Sequence, residues 1–343
     1  MRISVFLDYT ADPLVTAEMA IAADQAGIDM AWVAEAYGFD AVSILGYLAA
    51  KTDRIDLASG ILPLGTRSAT LLAMSAAGVD SVSKGRFTLG LGTSGPQVVE
   101  GFHGVTFDRP IARTRDTVEI CRRVWEREPL EYTGETIQLP NPGGKPLRMM
   151  TAPLRSRIPI TIASIGPKNV ELTAEMAEGW LPMFGFFHPD RWRDVWGEPL
   201  DRGLAKRAPD LGPLDVVAGG EVAIGPGAEG HRERTRNFVA LYVGGMGSRA
   251  QNFYNSLFRR YGYEEEATAI QDLFLDRKRE EAAAAVPSDF LEATSLCGDD
   301  DFVRNQVARY RYAGVTNLIV RPVGDDRIGT LKKLRAIVDE VCG

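Results

Sequence analysis

Eight short apolar runs, separated along most of the chain by longer amphipathic segments, constrain this sequence more than any other feature. The runs are Ile3–Leu7, Met30–Val33, Ile55–Ile61, Phe87–Leu91, Ile160–Ala163, Trp180–Met183, Val216–Ile224 and Leu318–Arg321. Between most of them lie helical patterns such as Val15–Ala26 and Ala112–Trp125. Such alternation predicts repeated βα units around a parallel sheet, and eight strands is the count for a closed (β/α)8 TIM barrel. Four helix-to-strand junctions, Ala26-Gly27-Ile28, Lys84-Gly85-Arg86, Glu178-Gly179-Trp180 and Ala313-Gly314-Val315, each offer a glycine where a helix end calls for positive φ.

The 343 residues are read as one barrel domain, 1–343, with two stretches that break the rhythm. The first, about 127–157, holds the hairpin-like alternation Leu130–Leu139 and a Pro/Gly-rich linker. The second, about 228–296, is helical in pattern over His231–Val243 and Ile270–Val286, with Gly244-Gly245-Met246-Gly247 as a break. Its apolar surface is expected to pack against a second copy, giving a homodimer.

Charge and cysteine usage narrow the partners. With 39 Lys+Arg against 46 Asp+Glu, the net charge of −7 argues against a general nucleic-acid binder. The three cysteines, Cys121, Cys297 and Cys342, are odd in number and far apart, so neither a disulfide framework nor a metal knuckle is expected. No secretory leader and no run of 18 apolar residues is present, which predicts a cytoplasmic protein off the membrane. His103, His188 and His231 are scattered, and neither HExxH nor GxSxG occurs, so no metal site is expected.

Two glycine-bearing strand ends point to a ligand. Gly90-Leu-Gly92-Thr93-Ser94-Gly95 spells GxGxxG, but at the fourth strand, with Pro96 next and no acidic strand end about 20 residues on. A dinucleotide-binding fold is therefore disfavoured, although small residues at a barrel strand's C-terminal end still suit ligand binding. Ala163-Ser164-Ile165-Gly166-Pro167-Lys168-Asn169 is a strand end, a turn and a helix start, which either cradles a phosphate or is an ordinary βα turn. Asp8 and Glu35, just past strands one and two, lie on the catalytic face of such a barrel.

Four segments now carry a resemblance: Leu57–Pro63, Gly85–Gly104, Ile162–Asn169 through Trp180, and Gln306–Val320. Together they resemble the luciferase-like monooxygenase superfamily and, within it, the coenzyme F420-dependent oxidoreductases, close in pattern to methylenetetrahydromethanopterin reductase and the F420-dependent dehydrogenases. The resemblance implies a bacterial luciferase-like barrel with the cofactor in its mouth and a small-molecule substrate beside it. It implies a cis peptide at Gly60–Ile61 behind the ring, with Leu62 next in that bulge and Asp8 also at the cofactor. Gly92, Thr93, Ser94 and Gly95 would line the ring and ribityl chain, and Ser164, Ile165, Gly166 and Pro167 the phosphate. Where relatives often carry Asp-His after strand two, this chain has Glu35-Ala36. Glu35 is then the expected proton-handling group, with Glu100 and His103 as alternatives. Phe184 and His188, with Phe186 and Phe187 between them, would form an aromatic substrate wall or pack against the second insertion. An FMN-dependent monooxygenase of the same superfamily is the nearest rival, and a non-catalytic cofactor-binding barrel a more distant one.

Overall fold

The computed structural model describes residues 1–8 and 10–343. Eight parallel strands form the barrel: β1 (Arg2–Phe6), β2 (Met30–Val33), β3 (Asp56–Ser59), β4 (Phe87–Gly92), β5 (Ile160–Ala163), β6 (Gly179–Leu181), β7 (Asp215–Ala218) and β8 (Asn317–Pro322). They follow one another around the sheet in chain order, and β8 closes on β1 with Ser4 opposite Ile319. Outside them run α1 (Pro13–Gln25), α2 (Ala41–Lys51), α3 (Ala69–Val82), α4 (Pro110–Glu126), α5 (Pro167–Met176), α6 (Trp192–Leu204), α7 (Asp300–Tyr312) and α8 (Arg327–Cys342). The expected barrel is the observed one.

Local chemistry sets the helix boundaries. Asp12, Asp40, Ser68, Asp299 and Asp326 each accept a backbone N–H of the first turn that would otherwise be unpaired. Of the four junction glycines expected at positive φ, Gly27, Gly85 and Gly314 take it at helix ends. Gly179 is different: α5 ends on an extended Ala177, and Gly179 is already the first residue of β6. A Cβ there would meet the Thr161 hydroxyl at 2.5 Å, so close packing of β6 on β5 explains this glycine.

Two of the eight runs are interrupted. The third stops at Ser59, passes through a cis peptide bond between Gly60 and Ile61, and resumes as Leu62–Pro63 beside β4. The seventh, expected to run from Val216 to Ile224, breaks at Gly219-Gly220. Cβ atoms there would lie 2.1 Å from the Ile319 carbonyl and 2.3 Å from the Thr294 carbonyl. Beyond the break, Glu221–Ile224 leaves the barrel to pair with Leu296–Gly298 and the end of β8.

The segment between α4 and β5 carries an antiparallel hairpin, Tyr132–Thr133 with Gln138–Leu139. Asp116 of α4 holds it by accepting from the Tyr132 hydroxyl at 2.8 Å and the Thr136 and Ile137 N–H groups at 2.6 and 3.1 Å. Between β7 and α7, helices Glu229–Ala240, Phe253–Arg260, Glu264–Leu275, Arg279–Ala284 and Ser288–Thr294 stack over one side of the barrel. The expected helix Ile270–Val286 is two helices, divided where Arg277 adopts φ +65.

The strands' outward residues, such as Ile3, Val5, Leu318 and Val320, join a large core against the helices. Inward residues form a smaller cluster of Met30, Trp32, Ala58, Leu181, Val217 and Ile319, roofed by Phe6, Ile61, Ala163 and Phe184. Gly90 is where these layers meet most tightly: a Cβ on it would sit 1.7 Å from the Ser59 carbonyl oxygen. Gly90→Ala is therefore expected to abolish the fold or cost several kcal/mol in urea unfolding. Gly46, inside α2 with open space around it, should instead gain about 0.5–1 kcal/mol on change to Ala. Similar stabilities for the two variants would refute the packing account.

Candidate functional site

The C-terminal mouth of the barrel brings the glycine-rich end of β4 against the β3 bulge. A Cβ on Gly92 would lie 3.0 and 3.1 Å from the Ile61 side chain, and 3.3 Å from Ala163. Ile61 thus projects across bare backbone, and half-buried Thr93, Ser94 and Gly95 continue the rim. Ser94 turns the chain with φ +56. Leu62 faces the other way: its side chain is fully buried in the core beneath the helices, so the expectation that it contacts a cofactor in the mouth is corrected.

At the next strand end, Gly166 caps α5 in extended conformation with no side-chain cap, and Pro167 follows at the first helical position. A Cβ on Gly166 would meet nothing within 4 Å, so the turn is open in front. The dipole and N–H groups of a helix start make this a favourable place for an anion. Ser164 is not free to add its hydroxyl, because that group is buried and bonded to Thr173 Oγ1 at 2.8 Å. The Ile165 carbonyl points into the protein, where it accepts from Trp196 Nε1 at 2.9 Å.

The carboxylates expected at the mouth are already engaged. Glu35, with 8 % of its side chain exposed, binds the Arg67 guanidinium through both oxygens, at 2.5 and 2.8 Å, and accepts the Ala41 N–H at 2.8 Å. The Glu35 carboxylate raises the Arg67 pKa against the opposing effect of burial. Asp8 is turned into its own loop, accepting from the Thr10 N–H and hydroxyl. Burial would raise its pKa, but these bonds and the nearby Arg321 leave it below the usual carboxylate range. Glu100 is exposed and accepts from the Phe107 N–H at 3.0 Å. His103 is the exception: its Nε2 is buried and has no hydrogen-bond partner, and its ring lies edge-on to Phe102. Phe102 in turn meets Tyr37 of the β2 loop, 6.2 Å between centroids.

Of the aromatic run after β6, one ring faces the mouth. Phe184 stacks on Phe6 at 5.3 Å, beneath the Arg321 guanidinium. Phe186 and Phe187 are fully buried, Phe186 among Phe238, Tyr242, Tyr254, Phe258 and Phe290. His188 is 4 % exposed and packs on Tyr261 and Phe290, so its expected place on a substrate wall is corrected to one in the core. The residues missed from sequence are Trp32, Arg67, Arg260 and Arg321. Period-two counting along β2 and β8 would have turned Trp32 and Arg321 inward with Met30 and Ile319. Arg67 and Arg260 reach their partners across loops that no local pattern reveals. Among the described residues, no three His, Cys, Asp or Glu side chains gather as a metal site.

Fold and site together define a (β/α)8 barrel whose candidate ligand-binding face is the C-terminal mouth, lined by a cis bulge, a glycine strand and an open helix start. The chain belongs to the luciferase-like monooxygenase family, whose model matches residues 1–317. It is 37% identical, over 97% of its length and 99% of the other's, to a Mycobacterium tuberculosis protein named as a coenzyme F420-dependent oxidoreductase. It is 29% identical to 5,10-methylenetetrahydromethanopterin reductase of Archaeoglobus fulgidus, over 89% of each chain. The structure of the F420-dependent tetrahydromethanopterin reductase from Methanopyrus kandleri superposes with a TM-score of 0.82 over 99% of this chain and 98% of that one; at 23% identity this establishes the fold.

The buried His188 has a measurable consequence. Burial first, and then the Arg191 charge, pull its pKa from 6.5 to about 4. An unfolded chain takes up this proton below about 6.5, whereas the folded one resists until about 4. The neutral ring's contribution to stability is thus complete above the upper value and lost as pH falls through that window. The loss is on the order of 3 kcal/mol by pH 4. Urea unfolding at pH 7 and 4.5 should show a smaller drop for His188→Phe than for the unmodified chain, and equal drops would place the acid sensitivity in other groups.

Proposed function

We propose that the chain is an oxidoreductase that transfers a hydride between coenzyme F420 and a small organic substrate in the barrel mouth. The observation that carries this reading is Ile61 set against the bare backbone of Gly92, with the open Gly166 turn at the neighbouring strand end. These residues fit such a cofactor: a flat ring needs a strand without side chains, and a phosphate needs an uncapped helix start. The Mycobacterium tuberculosis relative named for F420 supports the same choice over FMN. When bound, F420 supplies the carbon that gives or takes the hydride.

In this reading Ile61 backs the ring, and Gly92, Thr93, Ser94 and Gly95 line it. The Gly166 and Pro167 turn faces the phosphate, with Ser164 and Ile165 shaping the turn from behind. Glu35, ion-paired through both oxygens, acts as a fixed negative charge that positions Arg67 and the start of α2. The proton passes through His103, whose Nε2 has no partner within the protein, while exposed Glu100 remains the second choice. Phe184, stacked on Phe6, forms the substrate wall.

A second copy of the chain finds a better surface on α3 than on the second insertion: Leu71, Met74 and Val82 are 45%, 55% and 59% exposed on one helix. Unpaired cysteines, two of them buried, suit the reducing cytoplasm. No helix among the described residues is long and apolar enough to cross a membrane.

Titration with F420 and FMN in parallel, followed by cofactor fluorescence, tests the cofactor. F420 should bind more tightly, and Gly166→Glu, whose side chain has room but brings a like charge, should weaken it roughly 100-fold. Preference for FMN would overturn the reading. With a turnover assay in hand, His103→Gln should lower kcat by about 10²–10⁴ without changing the F420 Kd, and unchanged kcat would remove His103 from the proton route. Light scattering should give a dimer mass that falls to the monomer's in Met74→Asp. An unmodified chain that is monomeric at micromolar concentration would refute that interface.

A further inference from the structure

Arg260 carries a half-buried charge that the site described above does not use. It ends the helix Phe253–Arg260 of the second insertion and reaches back 95 residues to donate to the Ile165 carbonyl at 3.0 Å, with a longer contact to the Val195 carbonyl at 3.5 Å. Its neighbour Arg259 pairs with Glu264, and most other part-buried arginines have a carboxylate. Among the described residues no Asp or Glu lies within ion-pair distance of Arg260. The guanidinium is half-buried, and loss of solvent lowers its pKa. A cation held in this way is left without a counter-charge in the protein itself.

The geometry of one peptide unit gives this contact a consequence. In a trans peptide the C=O and the following N–H point in opposite directions. The Ile165–Gly166 bond is trans, and its carbonyl is held inward twice, by Arg260 and by Trp196 Nε1 at 2.9 Å. The Gly166 N–H must then point away from those two donors, at a turn where a Cβ on Gly166 would also meet nothing. A hydrogen bond from a cation to the carbonyl also polarises the peptide and strengthens that N–H as a donor.

We propose that Arg260 is a positioning residue for phosphate recognition: by clamping the Ile165 carbonyl it aims the Gly166 N–H at the phosphate of the bound deazaflavin, and its unbalanced charge favours that anion. The second insertion thereby helps to build the cofactor site from behind. This inference rests on the F420 reading, deepens it, and stands apart from the residues already assigned to the ring.

The test compares two probes, F420 and the phosphate-free deazaflavin riboside with the same ring, by fluorescence titration of the full chain. Arg260→Met, which keeps the apolar stem, should weaken F420 on the order of 10-fold while changing riboside affinity less than about 2-fold. Arg260→Lys, which keeps the charge but not the planar fork, should lose about 3-fold, again for F420 alone, and it serves if the Met variant does not fold. Equal losses for both probes, or none for either, would overturn the role of Arg260 while leaving the F420 reading intact. Failure of the unmodified chain to bind F420 would overturn that reading, and this inference with it.

Discussion

Everything at the mouth of this barrel depends on how closely β3 and β4 approach each other. The Ser59 hydroxyl donates to the Gly90 carbonyl at 2.9 Å and accepts the Gly90 N–H at 2.8 Å, so one side chain stands in for the ladder where the strands have no room for a Cβ. Directly after it, the Gly60 N–H reaches back to the Val33 carbonyl of β2 at 2.7 Å. These bonds tie three strand ends together and carry the chain through Gly60–Ile61, which is what sets Ile61 over Gly92. Trp32 closes the space beneath, 3.2 Å from a Cβ that Gly60 does not have. A larger residue at position 60 or 92 would press on the side chains that floor the site, whereas one at position 90 would meet backbone and disturb the fold itself.

A barrel gives its loops a rigid platform, but a loop gains a defined shape only if something holds it. Here the holding groups come from outside the βα unit they serve. Arg67, after the β3 bulge, fixes Glu35 after β2. Trp196 of α6 and Arg260 of the second insertion fix the turn that begins α5. The insertion is itself pinned to the barrel by Phe186, buried among five rings, and by Tyr261, whose hydroxyl donates to the Phe186 carbonyl at 2.9 Å. Loss of packing around Phe186 would therefore reach the α5 turn through the helix that carries Arg260.

The fold was legible because it rests on short-range patterns: the eight runs appear where the barrel strands are, and three of the four junction glycines end helices. Its departures are places where a neighbouring backbone decides. Gly219-Gly220 splits an apolar run that has no break in its hydrophobicity, because the Ile319 and Thr294 carbonyls come within 2.1 and 2.3 Å of where Cβ atoms would lie. Gly179 looks like a helix cap and is a strand residue for the same kind of reason. At the site, the backbone elements could be anticipated, since glycine and proline at strand ends carry their own conformational meaning. Side-chain roles could not. Glu35 is indistinguishable in sequence from a free carboxylate until Arg67 is seen beside it, and His188 looks like a mouth residue until Tyr261 and Phe290 cover it.

That asymmetry bears on how such a barrel changes chemistry without changing shape. The strand ends proposed to seat a ring and a phosphate present backbone and small residues, which suit a cofactor more than they specify a reaction. The side chains proposed for the proton and the substrate lie on the loops above, His103 on one side and Phe184, beneath Arg321 of β8, on the other. Arg321 is inward-facing at the end of β8 and paired with Glu221 at 2.5 Å, so its charge is balanced where that of Arg260 is not. A substrate beside Phe184 would therefore meet two stacked rings and the Arg321–Glu221 ion pair, with Asp8 close by. The unpaired charge of Arg260 stands instead behind the α5 turn. Under the proposed function the two recognition problems are thus separated in space, with the phosphate at β5 and the substrate across β1, β6 and β8.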